Sequence, residues 1–204
     1  MGGGGPMAWD EAERILSEAD LIHDGQAVDR ALDDLASQIT ERLEHTRPLI
    51  LGVMIGGMVP AGMLLPRLGF PLQLDYVHAT RYRGGLSGQN DLQWRAEPGT
   101  PVRDRVVLVV DDILDEGHTL AGIVEALQAQ GAAEVLTAVL VNKLHQRKHP
   151  GLRADFVGLE VPDRYVFGVG MDYKGLCRNA PGIFAVREPA PATGDRAEAK
   201  EPTQ

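Results

Sequence analysis

Residues 106–110 read Val-Val-Leu-Val-Val and run straight into Asp111 and Asp112; nothing else in the 204-residue chain constrains its fold as much. A mostly β-branched run without a polar residue is buried on both faces, as in a parallel sheet covered by helices. Next come Asp115, Glu116, Gly117, His118 and Thr119, and a helical pattern follows at once. It places Leu120, Ile123, Val124 and Leu127 on one face and ends at Gly131 as its C-cap. Short apolar runs at 49–54, 72–77, 135–141 and 156–159 read as further strands. Helical spacing covers 9–19, with Ile15, Leu16 and Ala19 on one face. A second helix starts from an Asp24 cap and repeats Val28, Ala31, Leu32, Leu35, Ile39 and Leu43. The alternation predicts an α/β fold: a mostly parallel central sheet flanked by helices.

Composition narrows the setting. Twenty Lys and Arg against 29 Asp and Glu give a net charge of −9, which argues against a broad grip on nucleic acid or an anionic membrane. The one cysteine, Cys177, forms no internal disulfide or cysteine metal cage, and a reduced, cytoplasmic setting is expected. Residues 1–8 lack a basic and an apolar targeting region and read as a flexible leader. Residues 188–204 read as a disordered tail, leaving one domain over 9–187. The uncharged stretch 48–66 is long enough to span a bilayer, yet it contains four glycines and Pro60. It divides instead into a strand, a glycine turn and a helix from about Val59.

The chemistry concentrates where the 106–110 strand ends. Ligands of open α/β sheets bind at the carboxyl ends of strands. A glycine turn entering a helix there aims backbone N–H groups at a phosphate, and Thr119 adds a hydroxyl. Carboxylates for hydroxyls or a divalent cation thus stand beside a phosphate cradle. A calcium loop does not fit, because Leu114 and Ile123 fall at ligand positions. No Walker A or dinucleotide glycine motif occurs.

The segment Val-Val-Asp-Asp-Ile-Leu-Asp-Glu-Gly-His-Thr at 109–119 resembles the phosphoribosyl pyrophosphate (PRPP) signature of the type I phosphoribosyltransferases, and within them the hypoxanthine-guanine phosphoribosyltransferases. The likeness runs from Asp10 to about residue 186 and implies a small hood formed by the chain ends. It implies a pyrophosphate loop at Ile55, Gly56 and Gly57 after Met54, where family members often hold a cis peptide. A mobile lid is implied over about 81–100. Its Arg81-Tyr82 replaces the family's Ser-Tyr pair, so pyrophosphate contacts pass to Arg81 and Tyr82 with a changed first donor.

By the same resemblance, Asp111 and Asp112 orient the ribose hydroxyls and the metal, and Asp115 is the acid/base at purine N7. The backbone of Asp115, Glu116, Gly117, His118 and Thr119 holds the 5′-phosphate. Glu116 departs from the family's common Thr, and its carboxylate is assigned no contact. Lys143 reads the purine O6, Tyr165 stacks on the ring, and Val166 meets its edge through the backbone. Asp172, with Asp111 and Asp112, sits near magnesium, the implied cofactor, while Arg178 binds pyrophosphate. His23, His45, His78, His145 and His149 receive no role. The implied activity is magnesium-dependent conversion of hypoxanthine or guanine plus PRPP to the nucleotide and pyrophosphate, by a homodimer or homotetramer without nucleic-acid or membrane partners. The alternatives are a same-fold enzyme for xanthine or another base, and a non-catalytic PRPP-sensing regulator.

Overall fold

The structure is a computed structural model and describes residues 6–81 and 92–187. Strands β2 (Leu49–Val53), β3 (Gln73–Arg81), β4 (Leu92–Ala96), β5 (Val106–Leu114), β6 (Glu134–Leu144) and β7 (Phe156–Pro162) form one six-stranded sheet in the order β4-β3-β2-β5-β6-β7. Every neighbouring pair is parallel except β3 with β4. A second, antiparallel sheet joins β1 (Asp20–His23), β9 (Ile183–Ala185) and β8 (Val166–Phe167), and is the hood.

The helices follow from their apolar faces. Helix α2 (Gly25–Leu43) buries Val28, Ala31, Leu32, Leu35, Ala36, Ile39 and Leu43. With Ala61 and Leu64 of the short α3 (Met58–Leu64), that face packs on Ile50, Leu108, Val110 and Leu140. Successive strand residues point to opposite faces, so Leu49, Leu51, Val107 and Val109 turn the other way. They meet Leu120, Ile123 and Leu127 of α4 (His118–Ala129). Helix α1 (Pro6–Glu18) packs Ala12 against Phe167 and Tyr173 of the hood. None of the described helices is long and apolar enough to cross a membrane, and the uncharged stretch at 48–66 divides into β2 and α3.

Several boundaries differ from the sequence reading. Helix α1 begins at Pro6, three residues before Trp9, because proline is at home in a first helical turn. The C-cap of α4 is Gln130. Gly131 follows it with φ 90°, and the N–H groups of Gly131 and Ala132 bond to Gln128 and Leu127, the pattern that closes a helix on a left-handed residue. Strand β5 runs on through Asp111 and Asp112 to Leu114, since β6 continues beside it as far as Asn142. The span 81–100 contains β4, whose Leu92, Trp94 and Ala96 turn inward while Gln93 and Arg95 face solvent. Three apolar residues on an edge strand give little periodicity to read. Tyr82 and most of the expected lid lie outside the described residues.

Helix α2 is fixed at its start by the Asp24 side chain, which accepts the Ala27 N–H at 2.7 Å. Asp24→Ala is expected to lower the unfolding free energy by about 1 kcal/mol. Ile39→Ala, emptying a fully buried position, is expected to cost roughly 2–5 kcal/mol. Urea unfolding measures both, and the reverse order would mean that the cap, not the packing, holds the helix.

Candidate active site

Three chain segments meet at the end of β5. The first is the loop between β2 and α3, where the Met54–Ile55 peptide is cis. A Cβ on Gly57 would stand 2.6 Å from the Val110 carbonyl oxygen and 2.7 Å from that of Val53. One on Gly56 would stand 1.9 Å from Asp112 Oδ2. The two glycines therefore let the loop lie directly on the strand that carries the carboxylates. The third segment is the turn after β8, where a Cβ on Gly170 would meet the Gly56 carbonyl at 2.3 Å. Between its glycines Val169 takes φ 47°, a rare backbone for a β-branched residue. Backbone bonds from Val169 to Ala180 and from Gly170 to Arg178 hold it there.

Arg178 ties these segments together. Its guanidinium lies 2.7 Å from Asp172 Oδ1 and 3.8 Å from Asp112 Oδ2, and it donates to the Gly170 carbonyl. Asp172 also accepts the Gly175 N–H through Oδ2. Asp111 and Asp112 each accept the N–H of the next residue, at 2.9 and 2.7 Å. Burial, together with the neighbouring charge of Asp112, pushes the Asp111 carboxyl well above the usual carboxylate range. Asp112 is also pushed up, again chiefly by burial. Among the described residues, no three acidic, His or Cys side chains gather as a metal cage. Asp111, Asp112 and Asp172 instead line one region, with Arg178 standing between the last two.

A second cluster lies one turn further on. Asp115 Oδ2 accepts Lys143 Nζ at 2.5 Å, and its Oδ1 lies 2.7 Å from His145 Nε2. Burial raises the Asp115 carboxyl, but the hydrogen bonds from Lys143 and His145 outweigh it, and the group sits below the usual range. Lys148 Nζ donates to the carbonyls of Leu114 and Asp115, and Arg147 makes a bidentate pair with Asp163. The sequence reading left out this whole turn, including His145. A buried histidine and a basic run after a strand look like surface composition until the fold places them over Asp115.

The turn at 115–119 leads directly into α4. Gly117 has φ 79° at the N-cap of α4, a backbone open to glycine, and its carbonyl takes the Ala121 N–H. The Glu116 carboxylate lies 3.7 Å from His118 Nε2. His118 meets the His149 ring edge-on at 5.4 Å, so His149 also belongs to this neighbourhood. In the hood Tyr165 is half-exposed, with its ring edge-on to Tyr173 at 5.5 Å. The Val166 side chain is buried. Nothing is described of the Arg81 side chain, and Tyr82 is outside the described residues. An open cavity of about 610 Å³ adjoins Ile55 and Arg178, but its remaining lining, including Val28, Met58 and Val169, suits apolar groups better than phosphate.

Residues 18–174 match the phosphoribosyl transferase domain family. The hypoxanthine-guanine phosphoribosyltransferase of Staphylococcus epidermidis is 31% identical over 174 residues, covering 85% of this chain and 92% of that protein. A crystal structure of a hypoxanthine phosphoribosyltransferase from Staphylococcus aureus superposes with a TM-score of 0.79 at 26% identity, covering 84% of this chain and 93% of the other. A hypoxanthine-guanine-xanthine phosphoribosyltransferase gives 0.76 at 26% identity, with 84% and 99% covered. With a family match over most of its length and a relative above 30% identity, the chain belongs to the phosphoribosyltransferase family, among the hypoxanthine-guanine phosphoribosyltransferases.

Proposed function

We propose that this chain transfers the phosphoribosyl group of PRPP to N9 of a 6-oxopurine, hypoxanthine or guanine, and releases pyrophosphate. The observation that carries this reading is the Lys143–Asp115 pair, 2.5 Å from Nζ to Oδ2. A 6-oxopurine protonated at N7 presents an acceptor at O6 beside a donor at N7. An ammonium beside a carboxylate is the complement of that edge. Lys143 turns from Asp115 to O6, and the freed Oδ2 accepts the N7 proton. Adenine puts an amino donor against the ammonium and is rejected.

As the N9–C1′ bond forms, the C1′–O bond to pyrophosphate breaks and its electron pair leaves with the diphosphate. The N7 proton passes to Asp115, whose hydrogen bonds keep it ionised and ready to accept. Arg178 and the Ile55 and Gly56 N–H groups would meet the charge growing on the leaving group, while the Gly57 N–H is taken by the Val53 carbonyl. Asp111 and Asp112 orient the ribose hydroxyls, the backbone of 115–119 holds the 5′-phosphate, and Tyr165 offers the base an aromatic face.

The donors suit a magnesium ion that travels with PRPP, since magnesium keeps waters and substrate oxygens and needs only one or two carboxylates. One or two of Asp111, Asp112 and Asp172 would hold it, and it would supply positive charge to the leaving diphosphate. The raised carboxyls of Asp111 and Asp112 support this, because burial penalises their charge and a cation beside them offsets that penalty. Self-association as a homodimer or homotetramer belongs to the same reading. Leu74 and Tyr76, both exposed on one face of β3, favour it. A cytoplasmic setting follows from the single cysteine. Xanthine is the second reading: it shares the O6 and N7 edge, and one structural neighbour carries xanthine in its name.

Pyrophosphate release with PRPP and magnesium is expected for hypoxanthine and guanine, not for adenine or uracil, and is abolished by a chelator. PRPP binding without release for any base would favour a sensor. Asp115→Asn is expected to lower kcat by about a hundredfold or more with a small change in the KM for PRPP. Lys143→Ala is expected to narrow the gap between 6-oxopurines and adenine, read as the ratio of kcat/KM values. An unchanged ratio would remove Lys143 from base reading.

A further inference from the structure

The turn after β6 gives the site one more group, and its role follows from which nitrogen carries the proton. The His145 side chain is only 3% exposed, and its Nε2 stands 2.7 Å from Asp115 Oδ1. Its other ring nitrogen, Nδ1, lies 3.0 Å from the backbone N–H of Arg147 and accepts from it. A backbone N–H can donate only to a bare nitrogen, so the ring proton sits on Nε2 and points at the carboxylate. His145 is therefore a neutral donor with its tautomer fixed. Arg147, which fixes it, is held in turn by two hydrogen bonds to Asp163, at 2.7 and 2.8 Å. Asp163 lies two residues before Tyr165, so the same turn is anchored to the base-binding loop.

The two oxygens of Asp115 thus have partners with different fates. Lys143, on Oδ2, is the group that the reading above sends to the purine. His145, on Oδ1, is buried and has no substrate atom to turn to. We propose that His145 is a positioning residue, holding Oδ1 of Asp115 while Lys143 leaves, so that Oδ2 stays aimed at the N7 proton. The inference rests on the assignment of Asp115 as proton acceptor. His145 keeps its own proton throughout, because Nδ1 is blocked by Arg147 and no relay runs through the ring. The other charged groups near Asp115 are Lys148, the Arg147 guanidinium and Glu116. Lys148 bonds to backbone carbonyls and Arg147 to Asp163, so neither replaces His145 at Oδ1.

The test compares His145→Leu, His145→Asn and His145→Gln, with Asp115→Asn alongside, in pyrophosphate release with hypoxanthine across pH. Leu removes the donor, Asn is too short to reach Oδ1, and Gln keeps an N–H near the reach of Nε2. For Leu and Asn, kcat is expected to fall about tenfold, with the KM for PRPP within about twofold of the parent. The acid limb of the kcat profile is expected to move to higher pH, because Asp115 loses a hydrogen bond that favours its charged form. Gln is expected to recover most of both changes. In the unmodified protein, nitrogen NMR is expected to find the His145 ring neutral and protonated at Nε2. A folded Leu or Asn variant with parental kcat and an unmoved acid limb would overturn the proposal, as would a ring protonated at Nδ1. If Leu and Asn do not fold, Gln and the ring spectrum decide: lost turnover in Gln, or the other tautomer, overturns it. Full turnover in Asp115→Asn is a separate result, since it removes the proton acceptor itself rather than the residue that aims it.

Discussion

Two adjacent carboxylates at the end of a buried strand need donors, and the source of those donors decides how the chain folds around β5. Leaving a charge buried and unpaired costs several kcal/mol, so Asp111 and Asp112 draw on whatever lies near. Each takes the backbone N–H of the next residue. Beyond that the only cation within reach among the described residues is Arg178, 66 residues further along, which arrives on the turn after the hood and is itself held by Asp172. The glycine loop must then lie flat on the strand for the three segments to close, and a side chain at Gly56 would strike the Asp112 carboxylate. The arrangement is not a stable core feature. Both carboxyls are pushed up, and the strain at Val169 adds to it. A site that stores discomfort of this kind is poised to gain from a ligand that brings hydroxyls, cations and phosphates together.

Much of this was legible in the residues because buried parallel strands and amphipathic helices leave strong periodicities. Residues 106–110 of β5 and the whole of β2 are apolar runs, and α2 repeats its seven buried positions at helical spacing. The Asp24 cap is likewise readable from the residues, while the cis bond at Met54–Ile55 is expected only through the family resemblance. The strands of the hood were not readable individually. β8 has two residues and β9 three, and what makes them strands is a partner more than 100 residues away in β1 or across a turn. β4 is an edge strand for the same reason, defined by its pairing with β3 and not by its own pattern.

The site divides along the same line. Residues in one contiguous motif, from Asp111 to Thr119, announced themselves through their order. His145 and Arg147 carry no motif, and their meaning arises only when β6 runs parallel to β5 and ends beside it. Register then sets the turn at 145–148 over the residue that β5 delivers at 115. A histidine read alone is most often surface or core, and only the second nitrogen's partner distinguishes one that aims a carboxylate from one that merely fills space.

The hood has a consequence for the order in which the molecule comes into being. Its central strand, β9, is built from residues 183–185, close to the last described residue, and it must pair with β1 near the other end. During synthesis, a ribosome releases the six-stranded sheet and the phosphate cradle first, while β1 waits unpaired. Only when residue 185 has cleared the exit tunnel can Tyr165 and Val166 take their places in a finished sheet. The strand-end carboxylates and the turn at 115–119 therefore come from earlier chain, and the turn after β8 with Arg178 from later chain. A chain whose translation stalls short of that point carries the six-stranded sheet while β1 and β8 still lack the strand that joins them.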